Sequence, residues 1–196
     1  MKKKRKQNAG QALADLIYEA GMLKRTPRSG WLVAGVQKPE SVADHSYRCA
    51  VLAFVIASLE SADAEKAMAI ALFHDLHEAR TGDMHKMAKR YVDPYAAEGT
   101  VAEQQTAGLP HALKRTLRAL RTEDREQKSR LAKIVRDADI LECLIQAKEY
   151  YENGIRGVKP FFRNGEKMLA TESAKTLWRA CRERPSHLWW YEISGR

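Results

Sequence analysis

No long hydrophobic run occurs in this chain. The longest, residues 50–58, is far too short to span a bilayer, so no membrane partner is expected. Cysteine is scarce: Cys49, Cys143 and Cys181 are widely spaced and form no CxxC pair. That argues against a disulfide framework and for reduced thiols, and a cytoplasmic location is expected. Repeats, low-complexity segments and the alternating pattern of half-buried strands are absent. Proline is sparse as well, and each of Pro27, Pro39, Pro94, Pro110, Pro160 and Pro185 falls between helical patterns rather than within one. The class expected is all-α.

What is present is charge and apolar periodicity. Charged residues make up 30% and hydrophobic residues 44% of the 196 residues, the balance of a chain that buries a core. The formal net charge is +9, and five of those charges lie in residues 2–6. No apolar region follows this basic run, so it does not read as a secretory signal. It reads as a solvated, flexible tail over residues 1–8, ahead of one domain over 9–196. No stacking aromatics accompany the lysines, so nucleic acid is not expected as a partner.

Apolar residues Leu13, Leu16, Ile17, Ala20 and Leu23 mark a first helix over 9–24. Residues 25–40, with two prolines and two glycines, read as a loop. Ser41-Val42-Ala43-Asp44 is a capping-box start for a helix to about Leu59. Asp63 caps a helix over about 64–80 that Gly82 ends. Asp93-Pro94 opens a helix to about Thr106 and Pro110 one to about Leu120. The longest helix is expected from about Glu123 to Asn153, and the last over about 166–183.

Chemistry concentrates on these helices. Ala67, Ile70, Ala71, His74 and Glu78 share one face, small and apolar except for its last two members. An imidazole buried there needs a partner. Asp75 follows at about 100° around the axis, so both can reach one point between packed helices. His45 lies in the first turn of the preceding helix, and Asp139 near the middle of the long one. A His/His/Asp/Asp set with open positions suits one divalent transition metal such as Mn, Co, Fe or Zn. The plainer alternative is a satisfied core histidine beside ordinary helix carboxylates.

Three segments bear on that choice: 39–48 (PESVADHSYR), 71–83 (ALFHDLHEARTGD) and 137–142 (DADILE). With Leu23–Trp31 before them, in this order, they resemble the HD-domain phosphohydrolase superfamily and, within it, the 5′-deoxynucleotidase-like group. The resemblance covers about residues 12–150. It implies an HD-domain bundle of about six or seven helices, with His45, His74, Asp75 and Asp139 as metal ligands. Asp137 competes for the last position, but the family's Ala-Asp-x-Leu context matches Ala138-Asp139-Ile140-Leu141. Asp137 then becomes a surface or supporting carboxylate.

The resemblance also implies that Glu78 is catalytic, handling a water or a proton. It implies that Asp83 reads the sugar hydroxyls, that Arg28 grips the phosphate and that Trp31 walls the base or sugar. Arg25 could replace Arg28, and Trp31 could instead plug the core. Arg48 is expected to face phosphate or to pair with Asp44. His77 or His85 would be offered to a second metal, but the spacing favours one. Trp178, Trp189, Trp190 and Tyr191 either pack the chain end onto the core or join two copies in a homodimer. Residues 84–122 resemble the family little, and Arg118–Asp124 stands where an acidic-aromatic motif is common. The activity expected is metal-dependent hydrolysis of a (deoxy)nucleoside 5′-monophosphate. The alternatives are another phosphoester, either a triphosphate or a cyclic nucleotide, or a non-catalytic metal- and nucleotide-sensing module.

Overall fold

The computed structural model describes residues 8–195, and the basic run at the N-terminus lies outside them. Among the described residues there are α-helices, short 3₁₀ turns and no strand, only an isolated bridge between Pro27 and Ser41. The helices are α1 (Ala9–Met22), α2 (Ser29–Val33), α3 (Val42–Leu59), α4 (Ala64–Phe73), α5 (Glu78–Thr81), α6 (Pro94–Thr106), α7 (His111–Glu126), α8 (Arg130–Glu152), α9 (Gly165–Met168), α10 (Glu172–Glu183) and α11 (Leu188–Ser194). The count exceeds six or seven because two expected helices are each divided in two and because α2 and α11 form where no helix was expected.

The core is built by α3, α4 and α8. Their facing positions are small: Cys49, Ala50, Ala53 and Ala57 on α3, Ala67 and Ala71 on α4, Ala138 on α8. Small side chains let the backbones approach, and the larger Ile56, Ile70, Ile134 and Leu141 fill the space left between them. α10 closes this core with Trp178, which is 1% exposed. Trp189, Trp190 and Tyr191 on α11 are instead exposed, so of the C-terminal aromatics Trp178 alone packs fully into the core. α3 is long and apolar enough in composition to cross a membrane, although residues 50–58 alone are not. It is also a central core helix, and it carries Asp44, His45 and Arg48 in its first two turns.

The expected caps hold at Ser41 with Asp44, at Asp63 and at Asp93, and Asn8, placed in the tail, caps α1. Four boundaries differ. The expected helix 64–80 breaks at 74–77, where His74 Nδ1 and His77 Nδ1 bond to the carbonyls of Ala71 and His74 and the backbone tightens to three-residue turns. α7 runs on to Glu126 because residues 121–126 contain no helix breaker. Gln127, left-handed at φ 52°, ends it, and Ser129 caps α8. The expected loop 25–40 contains α2, and 166–183 is divided at Leu169–Ala170.

Asp137 is no surface carboxylate. It is fully buried and accepts the N–H groups of Ala170 and Thr171 and the Thr171 hydroxyl, so it ties α8 to the start of α10. Asp137→Ala would strand those donors and is expected to cost about 3 kcal/mol. Urea unfolding should show it as a lower midpoint with an unchanged slope. A midpoint at the wild-type value would refute the tie.

Candidate metal centre and active site

The break after Phe73 positions the site. His74 lies at the end of α4 and Asp75 in the turn that follows. His45 comes from the first turn of α3 and Asp139 from the middle of α8. His45 Nε2 is 3.3 Å from Asp139 Oδ1 and 3.7 Å from Asp75 Oδ2, and His74 Nε2 is 3.1 Å from Asp75 Oδ2. Donor atoms of His45, His74 and Asp139 lie within 4.8 Å of one another, with the Cys49 sulfur among them, and Asp75 adjoins both imidazoles.

The donor chemistry fits a divalent ion. Each imidazole is held through its other nitrogen: His45 Nδ1 lies 2.6 Å from Glu142 Oε2, and His74 Nδ1 lies 2.6 Å from the Ala71 carbonyl. An N–H donated to those acceptors leaves the Nε2 lone pair facing the carboxylates, the tautomer a metal ligand requires. The site also draws positive charge. Burial opposes protonation of His74, yet the Asp75 and Asp139 charges raise it to about 9. Burial would raise Asp75, yet His74, His45 and Arg28 hold it well below the usual carboxylate range. A divalent ion would replace those protons as the neutralising charge.

Several supports were not legible in the sequence. Glu142, fully buried and one turn after Asp139, backs His45 and is itself held by Arg48. Arg48 also pairs with Glu149, so it neither faces the centre nor pairs with Asp44. The Cys49 thiol lies 3.5 Å from His45 Nε2, and burial pushes it well above the usual thiol range, so it is uncharged at neutral pH. The only earlier signal was the inward position of Glu142 on α8.

The other expected residues surround a cleft of about 620 Å³ that opens at the centre. Arg28 lies 3.6 Å from Asp75 and 3.8 Å from Asp83, and donates to Cys143 Sγ. Glycine at 82, at φ 71°, ends α5 and turns the chain so that Asp83 meets α2. Asp83 Oδ2 accepts the Ser29 N–H and hydroxyl, at 2.5 and 2.7 Å. Glu78 is 5% exposed and its Oε2 has no hydrogen-bond partner. Burial, with the Asp75 and Asp83 charges, pushes its carboxyl up to about 9. Trp31 borders the cleft but is 2% exposed, and its indole N–H donates to Glu40. Arg80, a candidate partner for Glu78, pairs with Glu19 instead. His77 lines a small pocket under α6 and α7, with a ring nitrogen within 4.8 Å of carboxylate oxygens of Asp75 and Glu78, whereas His85 borders the cleft.

Comparison with known proteins identifies the family. The HD domain family matches residues 20–178. The human protein 5′-deoxynucleotidase HDDC2 is 36% identical over 146 residues, covering 73% of this chain and 70% of that protein. Its bovine counterpart is 39% identical over 139 residues, covering 70% and 67%. The solved structure of a conserved hypothetical protein from Pyrococcus furiosus superposes with a TM-score of 0.73 at 34% identity, covering 87% of this chain and 99% of that one. The chain therefore belongs to the HD-domain family and, within it, to the group of the 5′-deoxynucleotidases.

Proposed function

We propose that this protein is a metal-dependent phosphomonoesterase that hydrolyses (deoxy)nucleoside 5′-monophosphates to nucleoside and phosphate, with His45, His74, Asp75 and Asp139 holding one divalent transition metal. The observation that carries the reading is the meeting of these four donors beside Arg28 and the unpartnered carboxyl of Glu78 at the head of one cleft. When bound, a divalent ion supplies Lewis acidity at a phosphoryl oxygen and lowers the pKa of water.

The chain's own residues do the rest. Arg28 presents a planar fork of donors, and its contacts to Asp75 and Asp83 are long enough for phosphate oxygens to compete for them. Glu78 holds a proton at neutral pH and delivers it to the leaving sugar oxygen as the P–O bond breaks. Asp83 keeps Oδ2 on Ser29 and offers Oδ1 to a sugar hydroxyl. Trp31 gives the cleft a fixed wall and no hydrogen bond, because its N–H is committed to Glu40.

The test is phosphate release from a panel of nucleoside mono-, di- and triphosphates and cyclic nucleotides, after loading with Mn, Co, Fe or Zn. Monophosphates are expected to be cleaved, the deoxy forms in preference. A pocket rejects an added hydroxyl only modestly, so dAMP should exceed AMP in kcat/KM by about a hundredfold at most, and Asp83→Ala should narrow the gap. Equal values in the wild type would sink the deoxy preference. Release from triphosphates or cyclic nucleotides alone would replace the monophosphate assignment.

A further inference from the structure

The cleft is larger than a phosphate and a pentose require, and its lining is of two kinds. Around the metal centre it is charged. Residues 160–168 add Pro160, Phe161, Asn164 and Met168. Phe161 and Met168 are each 40% exposed, although both adjoin well-packed elements. An apolar ring left in water beside a charged site is a surface kept for a ligand rather than for the core.

The ring is also held still. Phe161 rests on Trp31 with centroids 4.7 Å apart. Trp31 is fixed in turn by Glu40 and by the edge of Tyr150, 5.4 Å away. The 3₁₀ turn that carries Phe161, Arg156–Phe162, is pressed onto the loop after α2. A Cβ on Gly157 would sit 2.2 Å from the Ala34 carbonyl oxygen, so only glycine permits this approach. Asn164 follows three residues later. Among the described residues its amide has no partner, leaving a donor and an acceptor free.

We infer that residues 160–168 form a nucleobase subsite, in which Phe161 is the stacking face and the Asn164 amide meets the edge of the base. A flat apolar face beside a free donor–acceptor pair suits a heteroaromatic ring, and a ring fixed before binding loses little entropy on contact. The inference rests on the nucleotide reading of the same cleft.

The test compares kcat/KM for dAMP and for 2-deoxyribose 5-phosphate, which lacks a base. The wild type is expected to prefer dAMP. In Phe161→Ala the ratio of the two values should fall by about tenfold or more, the scale of a lost base–aromatic stack. Phe161→Tyr should restore it. Phe161→Leu, which keeps apolar volume but no flat face, should resemble the alanine variant and guards against a folding effect. A wild-type ratio near one, or a ratio unchanged in both Phe161→Ala and Phe161→Leu, would overturn the subsite while leaving phosphomonoester hydrolysis standing. Failure of the wild type to release phosphate from any nucleotide would overturn the nucleotide reading and the subsite with it.

Discussion

His74→Ala and Asp139→Ala are each expected to lose the divalent ion and, with it, phosphate release by roughly a thousandfold or more, since Lewis-acid assistance is worth several kcal/mol. These two are better probes than His45→Ala. His45 is fully buried against Glu142, which is also held by Arg48, and deleting it would strand a buried carboxylate and unsettle the fold. Asp139 is 44% exposed in its side chain, and His74 bonds only locally to Ala71. Helix content should therefore persist in both variants. Elemental analysis of the purified proteins gives occupancy, and circular dichroism gives the fold. Full occupancy in both variants would show the ligand assignment to be wrong.

Glu78→Gln should slow turnover by about a hundredfold or more, the usual worth of a general acid or base, while metal and nucleotide still bind. The substitution keeps the shape and removes the transferable proton. It should cost little stability, because Glu78 is already uncharged at neutral pH and its Oε2 lies buried without a partner, so the amide replaces one neutral group with another of the same shape. An unchanged or raised melting temperature beside a collapsed kcat is the expected signature, one that belongs to a residue placed for chemistry rather than for folding. Wild-type kcat would remove Glu78 from the reaction.

Much of this arrangement could be read from short-range rules. Ser41, Asp63, Asp93 and Gly154 mark helix ends by local hydrogen bonding and backbone freedom, and they do so here. The four candidate ligands lie in helices, or within two residues of one, that those rules located, and the Ala-Asp-x-Leu context of the resembled family favoured Asp139 over Asp137. What stayed hidden depends on partners distant in the chain. Asp137 looks like any helix carboxylate until residues 170–171 arrive, and Arg48 has no visible reason to prefer Glu142 and Glu149. The break at 74–77 was hidden for another reason. The apolar periodicity continues through it, and only the imidazole bonds to backbone carbonyls mark the change. The α7–α8 boundary had no glycine or proline to announce it, only a glutamine in a left-handed conformation.

The wide separation of the four donors along the chain has a consequence for folding. His45, the His74-Asp75 pair and Asp139 close two long loops when they meet. An ion shared among them acts as a cross-link in a protein whose three thiols are all free. The unfolded chain offers no such cage, so ion binding favours the folded state by mass action, by about 2.7 kcal/mol at a hundred times the dissociation constant. With an ion held by these four donors, catalytic readiness and resistance to unfolding would rise and fall together with the metal supply.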